Sequence, residues 1–291
     1  MTVSFDLVAN SVISGILLGG FYAAVTIGIT IAFGMLDIVN IGHPAFIVMG
    51  SFIAYIMNRR FGVDPILTAI VAAPIFFLLG AGIFKFYYAA FEKSGKGSLR
   101  GLAFFFGILF VIEVTLLLAF GVDYRLVETS YIGPNVGFWH IDLPLRMVVP
   151  FIGSIALIFS LYLFFNRTFV GRAIMAVAQD EFALSLMAVD TVAVKQVAFG
   201  IAIATAAIAG GFLIVIQPVD PSLGREYIGR IFAICVLGGM GSISGTVIAA
   251  LILGVIETLT ATLFGPSWAP AVSFAALLLT LAIRPAGIMG R

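Results

Sequence analysis

Two carboxylates, Glu113 and Glu257, stand inside stretches that are otherwise apolar. An ionised carboxylate at the centre of a bilayer costs about 2.5–3.5 kcal/mol on the milder insertion scales, so such a residue faces a protein interior or a cavity. There it can relay protons, contact a polar solute, or hydrogen-bond to a neighbouring helix. The last role is the commoner one. Asn40 and His43 form a second polar group, set around Gly42 and beside Pro44. A histidine in an interrupted helix more often satisfies freed carbonyls than acts on a ligand. The alternative reading is that Asn40 and His43 face a solute pathway and gate it. A third group, Gly239, Gly241 and Ser242, lies in Leu237-Gly238-Gly239-Met240-Gly241-Ser242-Ile243-Ser244-Gly245. Four glycines in that short run break a helix.

A different kind of chemistry is suggested by residues 171–190. Ile174, Val177, Ala178, Phe182, Leu184, Leu186 and Met187 recur at helical spacing, with Gln179, Asp180 and Glu181 between them. A short amphipathic helix of this kind can lie on lipid headgroups, but its polar face should then be basic. Asp180, Glu181 and Asp190 would be repelled by anionic lipid. Docking to a protein is the better reading, with Gly171, Arg172, Ala178, Gln179, Asp180 and Glu181 as the contact residues.

Other chemistries are missing. Gly95-Lys96-Gly97-Ser98 lacks the upstream glycine and the Ser/Thr of a phosphate loop, and Gly239-Met240-Gly241 has no strand before it. No His, Cys or carboxylate cluster has metal-ligand spacing, and no nucleophile elbow is present. Cys235 is the one cysteine, which excludes a disulfide framework. A net charge of +1 offers no nucleic-acid footprint. The expectation is a chain that is not an enzyme, binds neither cofactor nor metal, and cannot hydrolyse ATP unaided.

The elements that must position these residues are membrane helices. The chain is 62% hydrophobic and 10% charged. A soluble domain carries roughly a quarter charged residues. Charge-free stretches at 7–36, 38–58, 65–84, 101–112, 147–166, 196–219, 231–256 and 258–283 approach or exceed the roughly 20 apolar residues that cross a bilayer, except the shorter 101–112. They predict an all-α polytopic membrane protein of about eight hydrophobic segments, one membrane domain over 1–291, with 167–195 as a cytoplasmic segment inside it. The first apolar run has no basic leader and is too long for a signal-peptide core, so it is expected to stay as the first span.

Lys93, Lys96 and Arg100 place the loop at 91–100 in the cytoplasm by the positive-inside rule. The loop at 121–146, rich in Gly, Pro and aromatics, falls outside. The segment at 167–195, with Arg167, Arg172 and Lys195, is then inside, as is the C-terminus with Arg284 and Arg291. Arg59 and Arg60 fall outside, against the rule. Lys85 sits near the inner end of its span, where it snorkels. A chain with its N-terminus outside and C-terminus inside crosses an odd number of times. Eight segments therefore predict that one, 227–263, does not cross fully and turns back at its glycines. A second interrupted stretch at 34–51 is broken by Gly42 and Pro44. Paired Gly/Pro-interrupted segments in two halves are the mark of an inverted repeat around a transport pathway. Gly15–Gly19, Gly241–Gly245 and the Ala/Gly-rich 202–211 are read as helix packing.

Three motifs resemble the permeases of the branched-chain (hydrophobic) amino-acid ABC importer family. Gly34 through His43, with Asn40 between, is similar to that family's G-x-x-x-x-x-N-x-x-H-G stretch. Gly171-Arg172-Ala173 through Ala178-Gln179-Asp180-Glu181 to Ala183 and Ala188 is similar to its cytoplasmic coupling segment. Val236 through Thr246 is close to its L-G-G-x-G-S-x-x-G signature. With Arg284-Pro285-Ala286-Gly287-Ile288-Met289-Gly290 they span nearly the whole chain in the family's order. The chain looks most like the shorter of the family's two permease types. Pro44 departs from the pattern, standing where the family commonly has glycine after the histidine. The family also imports urea, amides and aromatic acids, so the solute stays open.

The resemblance implies a complex. Two permease subunits, identical or not, enclose one pathway in a bacterial inner membrane. Two cytoplasmic ATPase subunits bind below and use the ATP, and an external solute-binding protein delivers the solute. Alternating access would follow, with residues 172–190 carrying the motion of an ATPase. The other reading from the residues alone is an ion-coupled secondary transporter with Glu113 or Glu257 carrying protons. A third is a membrane assembly protein with no transport role.

Overall fold

A computed structural model describes residues 5–92, 97–138 and 141–290. Lys93, Lys96 and Arg291, three of the residues behind the expected orientation, lie outside the described residues, as does Gly95.

The first half holds α1 (Phe5–Leu36), α2 (His43–Phe61), α3 (Pro65–Tyr87), which runs on through a π turn to Glu92, and α4 (Gly97–Phe120). A loop with a short hairpin, β1 (Asn135–Phe138) and β2 (Ile141–Pro144), leads to α5 (Leu145–Arg167). Two short helices follow, α6 (Phe169–Gln179) and α7 (Glu181–Leu186). The second half holds α8 (Thr191–Ile216), α9 (Leu223–Gly238), α10 (Ile243–Phe264) and α11 (Ala269–Ile283). Seven helices among the described residues are long and apolar enough to cross a membrane: α1, α3, α4, α5, α8, α10, and α11 with its preceding turn.

The two halves are inverted copies of one arrangement. α1 runs antiparallel along α10, and α8 runs antiparallel along α3; these are the most extensive pairings in the protein. Each is closed by small residues. A Cβ on Gly19 would lie 2.7 Å from the Leu251 Cα, and one on Gly80 would lie 2.8 Å from the Ile203 Cβ. Such contacts let backbones touch, the source of helix affinity where lipid gives no hydrophobic driving force. Hydroxyls add to it: Thr30 and Thr246 Oγ1 atoms are 2.8 Å apart, and Ser51 Oγ donates to the Gly210 carbonyl at 2.7 Å. Exchanging α1 for α8, α2 for α9, α3 for α10 and α4 for α11 maps the scheme onto itself. α5 has no counterpart and packs on α1 and α8.

The breaks also correspond, though not where the sequence suggested. α1 ends at Leu36, and residues 37–42 return into the bundle before α2 begins. The His43 ring sits where a Cβ on Gly28 would be. Gly28 is eight residues, about 12 Å, from the end of α1. Pro44 does not break a helix here. It stands in the first turn of α2, where a missing N–H costs nothing. The equivalent break is 217–222, Gln217-Pro218-Val219-Asp220-Pro221-Ser222, which brings the start of α9 against the start of α2. Gly224 packs on Pro44 and Ala45.

The expectation that 227–263 fails to cross is therefore corrected. α10 is a complete span. The glycine run at 239–242 is a turn at the end of the bundle, against Gly34 near the end of α1 and against Gly290. Ser11 Oγ donates to Thr262 Oγ1 at the other end, 2.9 Å away, while Ile288 N donates to the Leu237 carbonyl at 2.8 Å. The described chain thus starts and finishes at opposite ends.

Candidate functional site

The residues singled out above fall into two places. One is the interior junction of α2 and α9. Asn40 and His43 are both fully buried there. Both polar atoms of the Asn40 side chain lack a hydrogen-bond partner, while the His43 ring has the Val25 backbone beside it. Asn40 ends an irregular stretch that starts at Asp37, whose φ of 55° is left-handed. Aspartate tolerates that conformation better than most residues. Buried polar groups without partners are rare in native proteins, which sets Asn40 apart at the meeting point of two interrupted helices.

Glu113 and Glu257 each meet a guanidinium from α9. Arg225 Nη2 is 2.6 Å from Glu113 Oε1, and Arg230 Nε is 2.8 Å from Glu257 Oε1. The second pair is closed: its side chains are 17% and 4% exposed. The Arg230 guanidinium also lies 5.5 Å from the Tyr227 ring centroid. Both carboxylates are therefore partnered, and the closed Arg230–Glu257 pair has the arrangement of a structural one. Arg230→Met should deplete the inserted, detergent-stable protein, because leaving a buried charge alone costs about 3–5 kcal/mol. Arg230→Met/Glu257→Met should recover much of it. Membrane-fraction abundance and size-exclusion profiles check this; equal loss in single and double variants would show that the pair is not the cause.

The second place is the end face that holds α6, α7, the turn at 239–242 and the tail at 284–290. The segment 171–190 is two helices, not one. Thr168 caps α6, its Oγ1 accepting from Gly171 N at 3.0 Å. Gly171 lies so close to the Phe164 carbonyl that a Cβ has no room. Ile174 and Val177 bury the inner face of α6, while Arg172, Ala178 and Gln179 stay exposed. The chain kinks at Asp180, whose carboxylate caps α7 by accepting from Ala183 N at 2.8 Å. Glu181 is 2.8 Å from Lys195 Nζ, which is also 2.9 Å from Glu92. Both acidic residues thus serve the chain's own fold. The outer surface of this hairpin is apolar: Phe182 and Leu186 are each 73% exposed.

Gly239, Gly241 and Ser242 belong with this face. Gly239 and Gly241 have φ of 96° and 82°. Ser242 caps α10, its Oγ accepting from Gly245 N at 3.1 Å. A cavity of about 470 Å³ opens between the turn and α6, lined by Gly34, Met175, Ala178, Gln179, Met240 and Ser242.

One site had no expectation behind it. At the opposite end a cavity of about 630 Å³ is lined by Tyr55, Asn58, Arg59, Tyr124, Arg125 and Glu128. The Arg59 and Arg125 guanidiniums each lie 5.9 Å from the Tyr55 ring centroid. Tyr131 nearby donates to Asp64 Oδ2 at 2.6 Å, and burial together with that acceptor pushes its phenol well above the ordinary range. Arg59 and Arg125 are far apart in sequence, so no local spacing announced them. Among the described residues no cluster of three or more His, Cys, Asp or Glu is gathered.

An all-helical membrane protein with inverted halves, interrupted helices in its interior and a helical hairpin on one end face has the form of a transport permease. The chain belongs to the family described as the branched-chain amino acid transport system / permease component, which it matches over residues 11–281. It is 26% identical over 296 residues to the high-affinity branched-chain amino acid transport system permease protein BraD of Pseudomonas aeruginosa, covering 97% of this chain and 95% of BraD. It is 27% identical over 302 residues to the permease protein LivH of Salmonella typhimurium, covering 100% and 98%. A solved structure, PsaBC from Streptococcus pneumoniae in complex with Fab, aligns with a TM-score of 0.49 and 15% identity, over 97% of this chain and 94% of that one.

Proposed function

We propose that this permease carries a small hydrophobic amino acid of the branched-chain class into the cell as part of an ATP-driven importer. In this reading it pairs with a second permease subunit and stands on two cytoplasmic ATPase subunits, which bind and hydrolyse the ATP. It receives its solute from an external binding protein. The N-terminus lies outside and the end face with α6 and α7 lies in the cytoplasm of a bacterial inner membrane.

The observation that carries this reading is the hairpin at 169–186. It is fixed to the spans on one side through Gly171, Ile174 and the Lys195 ion pairs, and offers bare apolar side chains on the other. A groove on an ATPase would take Phe182 and Leu186, with Arg172, Gln179 and Asp180 around them. Motion then passes two ways. Lys195 connects α7 to α8 and to the end of α3. α6 also packs on α1, whose Gly34 meets the turn at 239–242, and so connects to α9 and α10. Of these spans α8 and α9 flank the break at 217–222, which meets the start of α2 beside Asn40 and His43; in this reading those two residues gate the path and Glu113 lines it. Uptake that requires ATP, and a companion ATPase that co-purifies with the chain, are the tests; uptake that persists without ATP and collapses with an uncoupler would overturn it.

The gate can be probed separately. Asn40→Cys in a Cys235→Ala background should react with small hydrophilic thiol reagents, and its rate should change between nucleotide-free and ATP-bound complexes. Irregular backbone at this depth needs protein or water to satisfy it. A cysteine there that stays inert in every nucleotide state would mean that 37–42 is buried packing.

A further inference from the structure

The same helix, α9, carries one closed ion pair and one open one. Arg230–Glu257 is sealed among α1, α9 and α10, but 59% of the Arg225 side chain is exposed although it pairs with Glu113. Glu226 next to it is exposed too. Glu113 stands seven residues from the end of α4, about 10 Å along the axis. On the other side thirteen residues separate it from Arg100. The pair therefore lies well inside the apolar length of a 21-residue span. Hydrocarbon does not accept an exposed guanidinium with an exposed carboxylate beside it; such groups face a bundle interior or a water-filled cavity.

We infer that the Arg225–Glu226 face of α9 lines the solute path, and that Arg225, Glu113 and Glu226 together hold the charged head of an α-amino acid. Arg225 has five N–H donors in a planar fork, and Glu113 contacts one end of it. The remaining donors suit a carboxylate bidentately. Among the described residues Glu226 has no ion-pair partner, so it is available to an ammonium group. Recognition here is of the zwitterion and not of the side chain, which would run past on apolar walls. This rests on the reading of the chain as an amino-acid permease and adds the residues that meet the solute.

Ser222 is the residue just before α9, four positions ahead of Glu226, and is partly exposed. The test uses Ser222→Cys in a Cys235→Ala background, in the assembled transporter, with wild-type leucine uptake measured first. A wild-type complex that moves no amino acid condemns the permease reading; the remaining outcomes bear on this site alone. Ser222→Cys should react with a small hydrophilic thiol reagent about tenfold faster or more than Leu118→Cys, on the apolar surface of α4, because water reaches only the first. Leucine should slow the reaction several-fold, roughly in proportion to site occupancy, and 3-methylbutylamine, which is leucine without its carboxylate, should not. In Arg225→Gln/Glu113→Gln, which removes the ion pair as a unit and strands no buried charge, the fast reaction should persist and the protection by leucine should disappear. A Ser222→Cys side chain that is inert in every nucleotide state would show that this face is sealed, against lipid or against the second subunit. Equal protection by the amine, or protection that survives in the double variant, would show that no carboxylate docks on Arg225. Any of these overturns the inference.

Discussion

Gly239→Leu and Gly241→Leu are each expected to bring uptake close to background while leaving the chain inserted. The turn at 239–242 has no room for a side chain. A Cβ at Gly241 would lie 2.6 Å from the Gly34 carbonyl oxygen, and one at Gly239 would overlap the Gly290 backbone. Both residues also have left-handed φ, which costs an L-residue about 1–2 kcal/mol. Overpacking adds about 1–3 kcal/mol. Insertion should survive, since the turn lies at the end of the bundle and leaves α10 a complete apolar span. Gly62→Leu separates the two causes. Its φ is 67°, yet nothing lies within 4 Å of a Cβ there, so it carries the backbone strain without the clash. Membrane abundance and uptake are measured for all three. Near-normal uptake in the Gly239 and Gly241 variants would show that the turn does not transmit motion from α6.

Phe182→Glu/Leu186→Glu should abolish ATP-driven uptake with little change in folding. Both side chains are solvent-exposed in the isolated chain, so a charge there is accepted until a partner must cover it. An unpaired charge buried in an interface costs several kcal/mol, roughly 2–5. The companion ATPase should lose co-purification or its coupling to transport. Charge reversal at Asp180 and Glu181 is a poorer probe of the same surface. Asp180→Lys removes the cap of α7, about 0.5–2 kcal/mol, and Glu181→Lys sets a second cation against Lys195. Normal uptake in the Phe182/Leu186 variant would place the ATPase contact elsewhere.

Membrane class and the amphipathic character of 171–190 were legible because apolar length and helical spacing are local properties. Span boundaries were not. Reading spans as charge-free stretches stopped α4 at Glu113 and split α10 at Glu257, although both helices run through these residues. A carboxylate ends a span only when it is unpaired, and the arginines that pair with these two lie 27 and 112 residues away. The glycine run at 237–245 drew attention as the second interrupted segment because glycine is the strongest local punctuation. The structural counterpart of 37–42 is 217–222, whose signal was Pro218 and Pro221 just after a long apolar run. For the candidate site, the buried placement of Asn40 and His43 followed from their apolar setting. That Asp180 is a helix cap and Glu181 an ion-pair partner could not be read, because the kink at Asp180 depends on where α6 ends. Arg225 gave no local signal; its depth is fixed by the packing of α9 against α2 and by the pair with Glu113.

α5, the helix without a counterpart, settles a matter of parity. The first unit, α1 with the returning stretch and α2, then α3 and α4, passes through the bundle four times and finishes at the end where it began. A second copy joined directly to it would be inserted the same way up, and its long first helix would run parallel to α1. One further pass, α5, turns the copy over. It also decides where the hairpin falls, since α6 and α7 occupy the join between α5 and the inverted unit. Without that added pass the hairpin would stand at the other end of the bundle, beside the cavity of Arg59 and Arg125.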